Sequence, residues 1–540
     1  MKRQMKLGMF YWQCGHHIAA WRHPDSVPNS GVNLSHLIEL AKLSEKGLFD
    51  MFFMADSVTF WRGDLDAMSR DSFGTWIEPF TLMATIAQYT KNLGVVCTAT
   101  STYDQPYLLA RRFASLDITS GGRAGWNLVT SGNKIEADSF GLEKHLEKSV
   151  RYRRAAEFAH VVRGLWNSWN DDTFIHDKAS GLYFDKNKLN ILDHKGEFFT
   201  VRGPLNVPNS PQGEPVLIQA GASEDGRQLA AETAEVVFGA SQTLEKAQEF
   251  YSDVKKRMVA CERDPDGLKI MPGLSVSVGE THEKAVQKYE DLQDLIDPAT
   301  GLQLLSQRMD YDFSGLDINE PVPEIAPNEI GGSRAELMLD MARREKLTIK
   351  DLYRRIAGAR GHCHISGTPG EIADMMEEWL NHDGCDGFNI MPPLFPSGLE
   401  DFISMAADEI LFDSLITNVI RGGGISVLNS SPLLKDLHIT NNTSRNVGAG
   451  IGLVNSNAIV QSTIISNNNI PDGDALGGGG IAINGGHPYL SDLEISYNTV
   501  GQNMYYLNGG GGIFCGFSFG DEILQVDIEN SIIQHNTANI

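Results

Sequence analysis

The chain has 540 residues, 41% hydrophobic and 21% charged, with a formal net charge of −24. Such a surface repels nucleic acid and anionic lipid, which excludes both as expected partners. No apolar run reaches membrane-spanning length and the N-terminal MKRQMKLGMFYW has no apolar signal core. With six scattered cysteines and no C-x-x-C pair, this predicts a reducing, cytoplasmic location.

In chain order, strand and helix signals alternate. Strands are predicted at 7–12, 50–55, 93–102, 124–130, 215–220, 236–240, 270–278 and 387–391. Helical spacing fills 34–48, 79–90, 107–116, 151–169, 225–234, 244–261, 282–296 and 399–410. Eight strand-then-helix units predict a parallel sheet closed as a (β/α)8 TIM barrel, an α/β fold. Residues 171–212 and 298–360 break the pattern and read as insertions, the second with helices of its own at 334–346 and 349–357. His362-Cys363-His364 has metal-ligand residue types, but strand alternation sets Cys363 opposite the histidines and no second ligand pair lies nearby.

Composition changes near residue 410. From 413 onward there are three basic residues, ten acidic ones, 17 asparagines and 20 of the 54 glycines. A Gly-rich turn followed by Ile recurs at 422–425, 448–451, 477–481 and 509–513. Fourteen residues after the first three isoleucines comes I-x-x-N: Ile439/Asn442, Ile465/Asn468 and Ile495/Asn498. The fourth pair, Ile533/Asn536, follows after 20 residues, so that turn holds an insertion. Short strands, an Asn in each repeat and Gly turns recurring every 26 to 32 residues predict a right-handed parallel β-helix with stacked Asn side chains. The division is therefore 1–410, a barrel, and 411–540, an all-β solenoid fragment, joined between 407 and 413. This tail resembles pectate-lyase-like β-helix repeats.

The predicted barrel strands end in polar residues, and the C-terminal strand ends are where a TIM barrel keeps its chemistry. Strand 2 ends at Asp56, strand 3 in Thr98, Thr100, Ser101 and Thr102, strand 4 in Asn127 and Thr130, strand 5 in Gln219 and Ser223. Ser223 opens a helix, as an ordinary N-cap or as a phosphate site built on free N–H groups. Gly221 and Gly226 let backbone approach an anion, and Arg151 and Tyr152 start the preceding long helix within reach of it. Small hydroxyls, an Asn and an Asp around an apolar mouth suit a flat, polar-edged ring with a phosphate tail, in outline flavin mononucleotide. In the stretch TSGGRAGWNLVTS (119–131), Gly121 and Gly122 turn the chain back into the barrel and Trp126 packs.

The segments WRHP (21–24), FMADS (53–57), SLDITSGGRAGWNLVTS (115–131), RYRRAAEF (151–158), GLWNSW (164–169), PVLIQAGASEDGR (215–227) and PPLFPSGLEDF (392–402) carry a resemblance. They resemble the nitrilotriacetate, dibenzothiophene-sulfone and pristinamycin-type monooxygenases of the bacterial-luciferase-like flavin enzymes, over residues 5–407. The resemblance implies a homo-oligomeric TIM barrel that takes reduced FMN (FMNH2) from a separate NAD(P)H:flavin reductase. Oxygen then adds to the flavin to give a C4a-(hydro)peroxyflavin, which oxygenates a small organic substrate. It implies Asp56, a strand-3 hydroxyl (Thr102, with Thr98 next) and Asn127 near the flavin ring, and Tyr152 and Ser223 at the phosphate. It implies a catalytic role for His17, steering the peroxide or a proton, against which stands a purely structural role. The family's usual histidine four residues before the helix tyrosine is Lys148 here, which serves phosphate as a point charge but not as a neutral imidazole. No dinucleotide fingerprint precedes a predicted helix, so NAD(P)H is expected to be used elsewhere. Competing readings are a deazaflavin-dependent dehydrogenase on the same barrel and a non-catalytic β-helix surface protein; a polysaccharide lyase lacks a visible acid/base cluster.

Overall fold

The computed structural model describes residues 4–60, 65–326 and 333–406. Beyond them it describes the stretches 425–428, 433–435, 437–440, 450–454, 458–470, 479–484, 487–500, 513–515, 527–534 and 536–538. The chain forms two compact units, residues 3–410 and 411–540. The stretch 407–413, where the sequence places the join, lies outside the described residues.

The first unit is built on strands β1 (Lys6–Tyr11), β2 (Met51–Met54), β3 (Gly94–Thr100), β4 (Ala124–Val129), β5 (Val216–Gln219), β6 (Val236–Gly239), β7 (Lys269–Val278), β8 (Cys363–Gly367) and β9 (Gly387–Ile390). All pairings are parallel. Strands β1 to β7 follow one another around the sheet and β9 closes it between β7 and β1. That is the eight-stranded barrel. Period-2 alternation turns Phe10 and Trp12 into the barrel, where they join Phe53, Ile218, Met271 and Met391. Phe10 meets Phe53 at 4.8 Å and Phe238 at 5.2 Å between ring centres.

β8 corrects the sequence reading. It is a ninth strand, paired with the second half of β7 from Leu274↔Cys363 to Val278↔Gly367, and a capped helix follows it at Pro369–Asn381. Cys-His-Ile-Ser-Gly is too polar to stand out as a core strand. The Thr368/Glu371 capping box behind it is the signal that was available.

The helices that matter for the site are α1 (Leu34–Lys46), α2 (Pro79–Ile86), α3 (Pro106–Ser120), α4 (Lys148–Trp166), α5 (Glu224–Thr233), α6 (Leu244–Ala260), α7 (His282–Asp294), α8 (Pro298–Met309), α9 (Ser333–Glu345) and α10 (Ile349–Ala359). α4 starts three residues earlier than its apolar pattern indicates. α8 lies inside the second insertion, ahead of the two helices read there. With α9 and α10 it forms a separate apolar cluster, including Leu305, Met309, Phe313, Leu352 and Ile356. The first insertion consists of two small hairpins. The last predicted helix is short: Ser397–Asp401 continues as a π-helical turn, Phe402–Ala406, and 407–410 lie outside the described residues. No described helix is long and apolar enough to cross a membrane.

The second unit stacks short strands into parallel sheets in the register set by the repeat. Ile425, Ile451, Ile481 and Ile513 pair in one column, and His438–Thr440 through Ile532–Gln534 form another that contains Ile439, Ile465, Ile495 and Ile533. The asparagines make a ladder. Asn468 Nδ2 donates to Asn498 Oδ1 at 2.8 Å and to the Ile439 carbonyl at 2.9 Å. Asn498 Nδ2 repeats this one coil on, to Asn536 Oδ1 and the Ile465 carbonyl, both at 2.9 Å. Asn442, the first of the series, lies outside the described residues. Asn498 is fully buried, so its removal orphans the groups on both sides. We expect Asn498→Ala to destabilise this unit by about 3 kcal/mol, seen by calorimetry as a lowered transition; a change below about 1 kcal/mol would refute the ladder's importance.

Candidate functional site

The site grows from the strand ends. At the end of β3, Thr98 Oγ1 donates to the Met54 carbonyl (2.7 Å) and accepts from Asn127 Nδ2 (2.8 Å). This leaves Asn127 Oδ1 buried without a partner, as is Gln219 Oε1 at the end of β5. Thr100 and Ser131 share a hydroxyl–hydroxyl bond of 2.7 Å. Behind them, Thr102 Oγ1 donates to the Thr130 carbonyl at 3.0 Å.

These residues wall a cavity of about 650 Å³ whose lining includes Asp56, Thr98, Lys148, Tyr152, Gln219 and Ser223. The residues picked from the sequence that line this one space include Asp56, Thr98, Lys148, Tyr152, Gln219 and Ser223. Asn127 and Thr102 stand one layer behind, each bonded to a lining residue. Of the two strand-3 hydroxyls considered, Thr98 is the one on the wall.

His17 does not line this cavity. It is fully buried, accepts the Ala19 N–H at Nδ1 (3.2 Å) and packs edge-on against Tyr289, which stacks on His364 at 3.8 Å. Burial, then the nearby His364, lowers its pKa to about 3, so the ring is neutral. Sequence adjacency to WRHP gave no sign that the loop after β1 folds away under α7.

Part of the cavity wall is the start of α5 with a lysine and a tyrosine beside it. Ser223 caps α5, its Oγ accepting the Gly226 N–H at 3.3 Å and lying 3.3 Å from the Tyr152 hydroxyl. Lys148 Nζ stands 3.7 Å from Asp225 of the same helix start. Gly221 and Gly226 serve a purpose more specific than the one read from sequence. A Cβ on either would come within 3.0 Å of the other's backbone, so the loop can cross the first turn of α5 only because both are glycine. Arg151 does not point at this end. Its guanidinium donates to the carbonyls of Leu146, Thr130 and Ser131 and pins the loop after β4.

The other end is acidic and shielded. Asp56 Oδ1 accepts the Trp76 indole N–H at 2.8 Å, and burial, more than the neighbouring Glu78 and Glu136, raises its pKa to about 6. Glu136 was not picked from the sequence, where it sits in the uninformative run NKIEADSF. Only 5% exposed, it lines the cavity, accepts the Ser57 hydroxyl at 3.0 Å on one oxygen and has its pKa raised by burial. Because the folded-state pKa of Asp56 lies above the unfolded value, its contribution to stability is full below about pH 4 and is lost as pH rises through about 6. The melting temperature of Asp56→Asn is therefore expected to gain on the unsubstituted protein between pH 4 and 7. Parallel pH profiles would show that burial does not perturb this carboxyl.

A closed parallel barrel with a polar cavity at its C-terminal mouth defines the class of TIM-barrel enzymes. The luciferase-like monooxygenase family profile matches residues 9–386. The chain is 49% identical over 406 residues to the N-acetyl-S-(2-succino)cysteine monooxygenase of Bacillus subtilis, covering 74% of this chain and 91% of that one. It is 44% identical over 417 residues to nitrilotriacetate monooxygenase component A of Aminobacter aminovorans, covering 76% and 92%. Among solved structures, a riboflavin lyase crystallised with modified FMN and riboflavin superposes with a TM-score of 0.68 at 30% identity, covering 77% and 93%. The chain belongs to the luciferase-like monooxygenase family and is a flavin-dependent enzyme of that class.

Proposed function

We propose that residues 1–410 are the oxygenating component of a two-component monooxygenase. It takes reduced FMN from a separate NAD(P)H:flavin reductase and uses O2 to oxygenate a small organic substrate. The observation that carries this reading is the single cavity with a cationic, helix-capped end and a shielded acidic end. Its volume lies within the 300–1,000 Å³ range of cofactor sites. Its orphaned acceptor, Gln219 Oε1, fits an N–H or hydroxyl donor of a flavin and its ribityl chain. The word "component" in the name of the nitrilotriacetate relative supports a partner protein.

Reduced flavin supplies the two electrons that activate O2; the protein's part is to hold, orient and shield. Lys148, Tyr152 and the free N–H groups of α5 would take the phosphate. Thr98, held from behind by Asn127, would fix the ring from one wall. Asp56, kept partly protonated near neutral pH by burial, can donate or accept a proton at the ring's edge, with Trp76 holding its other oxygen. His17, which we place outside the cavity, supports the loop after β1 rather than the reaction. We read the enzyme as a cytoplasmic homo-oligomer, and residues 411–540 as an appended solenoid without part in this chemistry.

The test is an anaerobic titration of the purified protein with photoreduced FMN, followed by mixing with oxygenated buffer. Micromolar affinity for reduced FMN, with no oxidation of NAD(P)H by this chain alone, is the expected result. Folded protein without affinity for reduced FMN would overturn the reading, and preference for a reduced deazaflavin would replace it with the dehydrogenase alternative.

A further inference from the structure

The loops after β2 and β4 meet although their strands do not. β3 runs between β2 and β4 in the sheet, yet two side-chain hydrogen bonds join the loops that follow them. The Ser57 hydroxyl donates to Glu136 Oε1 at 3.0 Å, and the Ser139 hydroxyl donates to Thr59 Oγ1 at 2.9 Å. Both loops line the main cavity, one with Asp56 and Ser57, the other with Asn133 and Glu136. A clip of this kind needs one acceptor. Glu136 carries two, and its Oε2 is buried without a hydrogen-bond partner. Burying a carboxyl in this half-used state lowers stability where a neutral acceptor would serve the clip as well. Such a loss, on the wall of a cavity, marks a group kept for its charge as well as for its grip.

We propose that Glu136 is a positioning residue of the flavin site: held by Ser57, it fastens the loop after β2 to the loop after β4 and keeps its own carboxyl beside that of Asp56. The segment carrying Asp56 is tied twice. The Trp76 indole fixes Asp56 Oδ1 at 2.8 Å, and Glu136 fixes the next residue, Ser57. Burial is the main cause of the raised Asp56 pKa of about 6; Trp76 and the Ser57 amide pull it down, and Glu78 and Glu136 push it up. Of these two acids Glu78 is engaged in capping α2, where it accepts the Phe80 and Thr81 N–H groups at 2.9 and 2.6 Å. The buried Cys97 thiol on β3 also faces Asp56, and burial pushes its pKa far up, so it is neutral. The cations on the cavity wall are Lys148 and Arg151 of α4 and Arg308 of α8. Burial raises the Glu136 pKa against the Ser131 and Ser57 hydroxyls and Arg151, which lower it. The inference rests on the flavin reading only in the name given to the cavity.

The test needs no ligand. The difference in melting temperature between the full chain and its Asp56→Asn variant, read by tryptophan fluorescence from pH 4 to 8, titrates Asp56. The same difference is taken in the background of Glu136→Gln, which keeps an acceptor for Ser57 and removes the charge, and of Ser57→Ala, which keeps the charge and removes the clip. Expected is a midpoint about half a pH unit or more lower in each background, with no further shift when the two are combined, because both act through one contact. An unmoved midpoint in either background, or shifts that add in the combination, would overturn the proposal. Anaerobic titration of the same proteins with photoreduced FMN separates the two readings. A moved midpoint in a chain that does not bind reduced FMN would sink the flavin function alone, and FMN binding with an unmoved midpoint would sink the positioning role alone.

Discussion

Combining Lys148→Gln with Ser223→Ala is expected to weaken FMN binding by about 60-fold and to leave riboflavin binding within about twofold. The two residues meet at the start of α5, where Ser223 is the N-cap and Lys148 approaches Asp225. A hydroxyl hydrogen bond to a charged phosphate contributes about 1.5 kcal/mol. Lys148, whose side chain is 54% exposed, is screened by water and contributes about 1 kcal/mol. Together they make about 2.5 kcal/mol, which converts to the stated factor. Riboflavin lacks the phosphate, so it does not sense the loss. Equal weakening of both ligands would place these residues at the ring rather than at the phosphate, and no weakening of either would remove them from the site.

The second large effect is on stability, at the opposite end of the barrel. Arg123, just before β4, donates five hydrogen bonds. Nε reaches the Ser120 carbonyl, Nη1 the Thr90 hydroxyl and Leu93 carbonyl, and Nη2 the Ala87 and Thr90 carbonyls. It thereby ties the chain leaving α2 to the chain leaving α3. Arg123→Ala leaves these carbonyls without a donor, and because the side chain is only half-buried, water replaces part of the loss. The expected cost is about 3 kcal/mol. Arg123→Lys, with three donors on a flexible stem, is expected to recover less than half of it. All eight tryptophans precede residue 410, so the urea midpoint read by tryptophan fluorescence reports this unit alone. A loss below 1 kcal/mol would show that the network is a surface feature without weight.

Arg123 belongs to the TSGGRAGW stretch, and what the sequence disclosed there is instructive. Gly121 and Gly122 announced a turn, and both have positive φ, 71° and 84°, a conformation that only glycine adopts freely. Trp126 announced packing, and it is fully buried with its indole N–H on the Ala99 carbonyl. The arginine's role was illegible because four of its five acceptors lie in 87–93, 30 to 36 residues before it. Ser223 was legible as an N-cap, because capping is a local matter. Glu136 was not legible: it lies in a segment without period or motif and gains its place from a wall built by distant residues.

The same division holds for the whole chain. Sequence alone determined the eight core strands, most of the helices between them, and the register and asparagine ladder of the tail's strands, because each follows from a short-range period in hydrophobicity or from a repeat. Only the tertiary structure decided that β8 exists, that α8 lines a pocket and that His17 turns away from the cavity. Those outcomes depend on which surfaces meet across gaps of tens to hundreds of residues, and local propensity carries no record of that.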